Sequence, residues 1–503
     1  MTAPVLNYAL LAPILIILGG ALLGVLVEAF IKKSLRASIQ LAIAIASIVL
    51  SGAALWRVHS ESSTSAAVHA VAFDGAGVFL QAAILLLALF GLFLIADTDN
   101  FTAQASAIPG SAEESHAIST GKQQTEVFPL TLFAISGMML FTIASDLITL
   151  FVALEILSLP LYLMAGLSRR RRLLSQEAAL KYFLLGAFSS AFFLFGAAFL
   201  YGYSGSLNLA DIATAISASN SNDIFLLIGI AFLSVGLLFK VGAVPFHSWT
   251  PDVYQGAPTP LTGFMAACTK VAAFGALLRI FYVGFEAAQW SWIPVITAVS
   301  LITMVGGAIA AIAQRDVKRT LAYSSITHAG FLLIGVVALN KDGLSASLFY
   351  LIAYGFATLG AFGVVTLVRD SAGEVTDLNR WVGLGKKSPV VAAAFSLFLL
   401  SFGGIPLTSG FIGKFSIFSA AYEGGNIVLV VIGVLTSAIA LFFYLRVILM
   451  LFFADPINDS VSVVIPSILT RITIGASVAI TLILGAFPEL LLHITSQYAN
   501  FLR

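Results

Sequence analysis

Apolar stretches of about 20 residues recur along almost the whole chain, and that length spans the roughly 30 Å hydrocarbon core of a bilayer. Shorter polar segments separate them, a pattern that is typical of transmembrane helices. We therefore predict an all-α polytopic membrane protein with about fourteen spans, at residues 6–28, 37–56, 76–96, 127–144, 147–167, 176–201, 224–249, 260–283, 292–312, 320–339, 344–368, 390–421, 427–453 and 466–487.

Two of these spans carry helix-breaking residues in their interior. The seventh contains Pro245, and the twelfth contains Gly404 and Pro406. Proline is common in membrane helices, but paired interrupted spans at corresponding positions point to an inverted repeat. Because each block has five helices, an odd number, the second block enters from the opposite face. The predicted organisation is three N-terminal helices and a polar cytoplasmic loop at 1–125, a first five-helix repeat at 126–289, a second, inverted repeat at 290–453 and a C-terminal helix at 454–503.

Composition narrows the possible functions. Charged residues make up 10% of the 503 residues and hydrophobic residues 59%, whereas about a quarter of a soluble protein is charged. The net charge is +1, whereas a nucleic-acid-binding protein carries a basic patch or stripe. No nucleic acid partner is therefore expected. The single cysteine, Cys268, excludes an intrachain disulfide, a zinc site of the usual cysteine type and a four-thiolate iron–sulfur cluster.

The distribution of basic residues predicts the orientation in the membrane. Most of the 25 lysines and arginines lie in loops after odd-numbered spans, and cytoplasmic loops hold the excess of positive charge. Because Lys32, Lys33 and Arg36 follow the first apolar stretch, that stretch is a retained helix and no secretory signal. Both termini are therefore expected on the outer side of a bacterial-type inner membrane. The polar segment 97–126 is expected to be a solvated cytoplasmic loop.

Four charged side chains fall near the middle of a span or beside a helix break. They are Glu155, Lys240, Lys270 and Lys414. Each charge at a helix centre costs about 2.5–3.5 kcal/mol, so these residues must face the protein interior, pair with one another or contact water. We predict that they form a proton relay. Glu155 is the one acidic residue deep in a span, and its contact with a lysine is expected to act as a switch, because a carboxylate favours the charged amine and desolvation disfavours it.

Three further residues are possible members of the relay. His247 lies seven residues after Lys240, and His328 is central in the tenth span beside several hydroxyl side chains. Imidazole exchanges protons near neutral pH, but a membrane histidine can equally be a packed core residue. Lys181 can join the relay, or it can pair with Glu177 one helical turn earlier. The remaining basic residues in spans, Arg279 and Arg446, are expected to be anchors near helix ends.

Four stretches resemble the proton-conducting antiporter-like family. They are residues 151–166 (FVALEILSLPLYLMAG), 240–270 (KVGAVPFHSWTPDVYQGAPTPLTGFMAACTK), 314–330 (QRDVKRTLAYSSITHAG) and 404–414 (GIPLTSGFIGK). The resemblance covers the chain from about 126 to 453, and PFHSWTPDVYQGAPTP is its most specific part. This family includes three membrane subunits of respiratory complex I and the large subunits of multi-subunit cation/proton antiporters. It implies that Glu155, Lys240 and Lys270 form the channel centre and that Lys414 is the charged residue of the broken twelfth helix.

Three details favour one of the three complex I subunits over its siblings. At the position that Lys414 occupies in this sequence, one sibling subunit of the family has a glutamate. The sequence ends at Arg503 without residues for the long lateral helix of the other sibling. The run VYQGAPTP also resembles the favoured subunit. The loop at 97–126 is longer and more polar than the family implies, which affects no expected channel residue.

The resemblance implies a proton-translocating membrane subunit of a redox-driven NADH:quinone oxidoreductase. NADH, FMN, iron–sulfur clusters and quinone are then expected in other chains of the complex, and no cofactor in this one, since its sequence has no nicotinamide, flavin or cluster motif. The expected partners are other membrane and peripheral subunits and membrane lipids. The alternatives are a subunit of a cation/proton antiporter or of a membrane-bound hydrogenase, a proton-inactive scaffold, and a free-standing solute carrier.

Overall fold

A computed structural model describes residues 7–59, 64–67, 69–97, 112, 116, 124–168, 172–218, 223–370, 373–455 and 461–502. Its helices are α1 (Tyr8–Phe30), α2 (Lys33–Val58), α3 (Gly75–Ile95), α4 (Val127–Ile143), α5 (Leu147–Ala165), α6 (Arg172–Ser204), α7 (Leu209–Ala218), α8 (Ile224–Val241), α9 (Trp249–Gly256), α10 (Thr259–Gly284), α11 (Gln289–Ile312), α12 (Val317–Ala338), α13 (Lys341–Val365), α14 (Pro389–Gly403), α15 (Ser409–Glu423), α16 (Ile427–Phe452), α17 (Ile468–Ala486) and α18 (Glu489–Tyr498).

The predicted all-α membrane fold is confirmed. Among the described residues, twelve helices are long and apolar enough to cross a bilayer. Two of the fourteen predicted spans do not meet that length: α4 has 17 residues, and the twelfth span is divided into α14 and α15, of 15 residues each. The count of fourteen therefore stays a prediction. The short helices α7 and α18 were not expected from the sequence.

Two helices form the centre of the molecule. The spans α10 and α13 are buried on every side along their most apolar stretch, and a helix that is hydrophobic all round belongs in such a core. Helix α10 is not regular: π-helical segments at Met265–Thr269 and Ile280–Gly284 interrupt it. Such segments leave local deviations in the backbone hydrogen bonding and often occur at functional sites.

Short antiparallel strands also occur between the helices. The hairpin of β1 (Thr64–Ala66) and β2 (Val71–Phe73) precedes α3. A second sheet has the order β4-β3-β5, with β3 at Val368–Asp370, β4 at Gly373–Glu374 and β5 at Ser462–Val463. These strands lie in connections that the hydrophobic pattern predicts only as loops, because two or three residues are too few to show an alternation of apolar and polar positions.

The starts of α5 and α12 are built in the same way. The Asp146 carboxylate accepts hydrogen bonds from the backbone N–H groups of residues 148 and 149, and Asp316 does the same for residues 318 and 319. Aspartate is a favoured N-cap because it satisfies backbone donors that have no partner within the helix. Each aspartate also forms an isolated β-bridge to a later segment, Asp146 to Asn208 and Asp316 to Asp377.

The helix breaks after α8 and α14 also share one geometry. Helix α8 ends before Gly242 (φ 76°) and α14 before Gly404 (φ 79°), both in the left-handed region that glycine tolerates. In each case the glycine N–H bonds the carbonyl three residues earlier, and the next N–H bonds the carbonyl five residues earlier. This pattern ends a helix while satisfying two of its last carbonyls. The chain resumes as α9 at Trp249 and as α15 at Ser409.

Some sequence-based predictions concern residues outside the described part of the chain. Most of the polar loop at 97–126 lies there. So do Lys122, Arg169, Arg170, Arg171 and Arg503, which contribute to the predicted orientation.

Candidate functional site

Lys240 lies in the last turn of α8, just before the first helix break, and is 5% exposed. Its Nζ donates to Ser158 Oγ at 2.8 Å and to Tyr182 OH at 3.3 Å. Ser158 Oγ in turn donates to the Leu154 carbonyl. The ammonium also lies 5.4 Å from the Tyr182 ring centre, a distance at which the ring face attracts a cation. The buried charge is thus held by hydroxyl groups from α5 and α6.

Glu155 lies one turn before Ser158 on α5 and is partly buried. No ion pair within 4.0 Å joins it to Lys240 in the part of the chain that the structure describes. Its Oε1 is buried and has no hydrogen-bond partner among the described residues. The structure therefore brings the predicted carboxylate and lysine onto adjoining elements but holds Lys240 on hydroxyl groups.

Lys270 follows the first π-helical segment of α10 and is 5% exposed. Its Nζ donates to the Ser325 carbonyl at 2.6 Å and lies 5.2 Å from the Tyr354 ring centre. A cavity of about 20 Å³ is lined by both Lys240 and Lys270. The two lysines come from separate spans and meet at one internal space.

His328 is buried on α12, between Lys270 and Lys414. Its Nδ1 is 2.5 Å from Tyr350 OH, and its Nε2 is 3.5 Å from Tyr444 OH. The ring packs against Tyr354 and Phe402, at 4.9 and 5.5 Å between ring centres. Tyr354 also contacts Lys270, and the Phe402 carbonyl accepts from Lys414. His328 therefore has contacts in common with both lysines.

Lys414 lies on α15, after the second helix break, and is 4% exposed. Its Nζ donates to the carbonyls of Phe402 at 2.8 Å and Gly403 at 3.2 Å, and to Ser437 Oγ at 2.6 Å. Those carbonyls belong to the last four of α14, which have no partner within the helix. The lysine therefore caps the helix that ends in front of it, where a cation is also favoured by the helix dipole.

Two other predicted relay residues lie elsewhere. His247 is in the segment between α8 and α9, where its ring packs beside Tyr323 at 6.5 Å, and its Nδ1 has no partner among the described residues. Lys181 is 41% exposed and forms ion pairs with Glu177 and Asp252, both at 2.6 Å. Neither contacts Lys240, Lys270 or Lys414 through a hydrogen bond that the structure describes. For Lys181, the alternative of a pair with Glu177 is the one observed.

The expectation that Arg279 is an anchor at a helix end is wrong. Its side chain is 1% exposed and binds both carboxylate oxygens of Asp74, at 2.6 and 2.8 Å. It also donates to the Thr142 carbonyl at 2.9 Å. Asp74 accepts a further bond from the Leu502 N–H. A helical pattern cannot show this pair, because its members are 205 residues apart.

Sequence reasoning missed the hydroxyl groups that contact the buried lysines and His328: Ser158, Tyr182, Tyr350, Ser437 and Tyr444. One signal was available for Ser158, which lies three residues after Glu155 and so on the same helical face. The others come from helices distant in sequence and have no distinguishing spacing. Among the described residues, no group of three or more His, Cys, Asp or Glu side chains is placed to hold a metal.

Comparison with known proteins identifies the family. Residues 144–440 match the family model described as NADH:quinone oxidoreductase/Mrp antiporter, transmembrane. The chain is 54% identical to a Rhodococcus opacus protein named NADH-quinone oxidoreductase subunit N, over 100% of this chain and 97% of that protein. A chain of respiratory complex I from Thermus thermophilus is 32% identical and superposes with a TM-score of 0.78, covering 96% of this chain and 99% of that one.

The fold is shared more widely. A chain of the Mrp complex from Dietzia sp. superposes with a TM-score of 0.79 over 97% of this chain and 96% of that chain, at 21% sequence identity. The predicted resemblance to antiporter-like proteins is confirmed by these matches. The chain therefore belongs to the NADH:quinone oxidoreductase/Mrp antiporter family, among the proteins named NADH-quinone oxidoreductase subunit N.

Proposed function

We propose that this chain is the proton-translocating subunit N of a respiratory NADH:quinone oxidoreductase. The observation that carries the proposal is a row of buried proton-exchanging side chains in the folded protein, which runs from Lys240 through Lys270 and His328 to Lys414. Family membership supports the assignment to complex I. The redox cofactors, NADH, FMN, iron–sulfur clusters and quinone, belong in this proposal to other chains, and this chain supplies the proton path.

In this proposal, protons move along the path because Lys240 can exchange its partners. Lys240 is held by hydroxyls that can rotate, and the Glu155 carboxylate is on the adjoining turn of α5. Quinone reduction elsewhere in the complex shifts Glu155 toward or away from Lys240, and the change in charge pairing passes to Lys270 and Lys414. A charge moved against 100 mV requires about 2.3 kcal/mol. One buried charged hydrogen bond contributes about 1.5–3 kcal/mol, so exchanging such bonds is of the required size.

The proposal includes two inverted five-helix repeats, residues 126–289 and 290–453, and a bacterial-type inner membrane with both termini on its outer side. The matching aspartate caps of α5 and α12 and the matching breaks after α8 and α14 support the repeat. The Leu502 N–H donates to the Asp74 carboxylate and the Ala76 N–H donates to the Asn500 carbonyl, and both bonds are consistent with the predicted topology. They hold the start of α3 next to the end of the described chain, and the predicted topology puts these two parts on the same side of the membrane.

The test is a pair of variants, Glu155→Ala and Lys240→Ala, in the assembled complex. Proton uptake by inverted membrane vesicles is measured together with quinone-coupled NADH oxidation, which gives the proton-to-electron ratio. Both variants are expected to lower this ratio. Lys386→Ala is the matched control, because Lys386 is 54% exposed and pairs with the exposed Asp455. A wild-type ratio in both Glu155→Ala and Lys240→Ala contradicts the proposal, whereas uptake that depends on sodium without NADH indicates antiporter activity.

A further inference from the structure

An apolar groove between α2 and α3 lies apart from the lysine relay, none of whose members line it. Its volume is about 480 Å³. The short helix α18 completes the wall, and the buried Ile352 of α13 also lines the groove. Val49 on α2 and Leu86 on α3 line it and are exposed, so the groove is open toward the membrane. An unfilled apolar space loses dispersion contacts along its lining, which indicates an occupant.

The groove is as long as one leaflet of the bilayer is deep. Its lining runs from Ile48 to His59 along α2 and from Val78 to Leu89 along α3. Each stretch advances eleven residues, which is about 16 Å at 1.5 Å per residue of helix. That length is roughly half of the 30 Å hydrocarbon core. The groove therefore extends from one face of the membrane to about its middle.

These dimensions favour an acyl chain over a helix of another subunit. A helix with its side chains is about 10–12 Å wide, so a 16 Å length of it fills roughly 1,300–1,800 Å³. The groove, at about 480 Å³, holds less than half of that. An acyl chain is narrow, apolar and about as long as one leaflet is deep, since two leaflets form the hydrocarbon core. It matches the groove in length, width and chemistry.

The mouth of the groove carries residues suited to a lipid headgroup. Trp56 and His59 line it at the end of α2, where their rings stack at 4.8 Å between centres. Arg57 lies between them in sequence and is exposed in the last turn of α2. Amphipathic aromatic rings favour the membrane interface, and a guanidinium can bind a phosphate through two parallel N–H bonds. On the predicted outer side, the loops and tail hold only two other basic residues, Lys341 and Arg503.

We propose that the groove binds one phospholipid, with an acyl chain between α2 and α3 and its phosphate beside Arg57. Leu491, Ile494 and Tyr498 of α18 line the groove at positions i, i+3 and i+7, which lie on one face of a helix. The lipid therefore packs against α18 as well as against α2 and α3, and it joins the short helix to the two spans. The site does not depend on the proposed proton path.

Gly52 provides the first test, because it lines the groove and a Cβ added there meets no heavy atom within 4 Å. In the assembled complex, Gly52 is replaced by the photoreactive p-benzoylphenylalanine, and the complex is washed extensively with detergent and irradiated. A phospholipid adduct is expected, identified by its mass. Gly19 on α1 is the matched position, since a Cβ there also meets nothing within 4 Å and it does not line the groove.

The outcomes of the crosslinking separate a bound lipid from its alternatives. An adduct at Gly52 and none at Gly19 supports the inference. Equal lipid adducts at both positions show residual bulk lipid and overturn it. A Gly52 crosslink to another protein chain overturns it as well, because a neighbouring subunit then fills the groove.

A second measurement counts the phospholipids that the complex retains after the same wash, by native mass spectrometry. Gly52→Leu fills the groove and is expected to lower the count by one, whereas Gly19→Leu leaves it unchanged. Arg57→Gln keeps the groove and is expected to lower the fraction of complexes that retain this lipid. An unchanged count in Gly52→Leu overturns the inference. If that variant fails to assemble, a high-resolution map of the wild-type complex decides: acyl-chain density between α2 and α3 supports the inference, and a protein helix or an empty groove there overturns it.

Discussion

The two helix breaks have the same backbone geometry but different caps. After α8, the indole Nε1 of Trp249 donates to the Phe239 carbonyl at 2.9 Å. After α14, Lys414 donates to the carbonyls of Phe402 and Gly403. A neutral side chain thus caps the first break and a charged one the second. Because Trp249 caps the first break, Lys240 is left to bind hydroxyl groups of neighbouring helices.

Because of this difference, Lys240 and Lys414 differ in how readily they change hydrogen-bond partners. The partners of Lys240 are Ser158 and Tyr182, whose hydroxyl hydrogens can reorient. Two of the three partners of Lys414 are carbonyls fixed by the backbone of α14. We therefore expect Lys240 to change partners readily and Lys414 to be coupled to the position of the broken helix itself.

The charges on the second half-helices differ as well. Asp252 lies ten residues after Gly242, and Lys414 lies ten residues after Gly404. Asp252 pairs with Lys181 and with Arg319 of α12, at 2.6 and 2.8 Å. Equivalent positions thus carry opposite charges. One is engaged in partly exposed ion pairs and the other is buried in the relay.

The largest difference is expected when each lysine is replaced by methionine. Lys414→Met leaves two buried carbonyls unpaired, each costing about 1–3 kcal/mol, although loss of the buried charge offsets part of this. Lys240→Met leaves only hydroxyls that can reorient. The midpoint temperature of complex dissociation is therefore expected to fall more for Lys414→Met. An equal or reversed order contradicts the assigned roles of the two breaks.

The next effect concerns the hydroxyl that holds Lys240. Ser158→Ala removes a buried hydrogen bond to a charge, worth about 1.5–3 kcal/mol, and is expected to lower the rate of proton uptake. Ser234→Ala is a matched control. Like Ser158, Ser234 donates its hydroxyl hydrogen to the carbonyl four residues earlier, but its Oγ accepts no hydrogen bond from a lysine in the described structure. Equal rates in the two variants argue against a role for Ser158 in the relay.

A smaller effect is expected from the glycines of the breaks. Gly242→Ala and Gly404→Ala each force a side chain into the left-handed region, at about 1–2 kcal/mol. In Gly404→Ala the new Cβ also meets Lys414 Cδ at 3.0 Å, and in Gly242→Ala it meets Thr250 Oγ1 at 3.0 Å. Both variants are expected to lower the dissociation temperature. Proton uptake measured below that temperature shows whether the cap of each break tolerates the shift, and an unchanged dissociation temperature refutes the strain argument.

The smallest effect is expected for Trp249→Phe. The variant removes the indole N–H and hence one buried hydrogen bond, worth about 0.5–1.5 kcal/mol. It keeps an aromatic ring that can stack on Tyr182, whose ring centre lies 4.7 Å from that of Trp249 in the present structure. A modest decrease in dissociation temperature, smaller than that of Lys414→Met, is expected. A larger decrease shows that the first break depends on its neutral cap as strongly as the second depends on its charged one.

Much of the candidate site was predictable, because a charged residue buried in the membrane can be identified from the apolar residues that flank it in the sequence. A single lysine within an apolar stretch, such as Lys240 or Lys270, is evident in the sequence, and so are Pro245 and Gly404 beside the breaks. The sequence did not show that α10 contains π-helical segments. Those depend on packing against all the surrounding helices, which no single stretch of sequence specifies.

The sequence by itself determined the membrane fold, most helix positions and the identity of the deep charges, because hydrophobic length and the cost of a buried charge act residue by residue. The tertiary structure alone decided the partners: Ser158 and Tyr182 for Lys240, and Asp74 for Arg279. Those contacts join helices that are 58 to 205 residues apart. Hydroxyls and ion pairs are selected by distance and direction in the folded bundle, and periodicity along one helix carries no information about its neighbours.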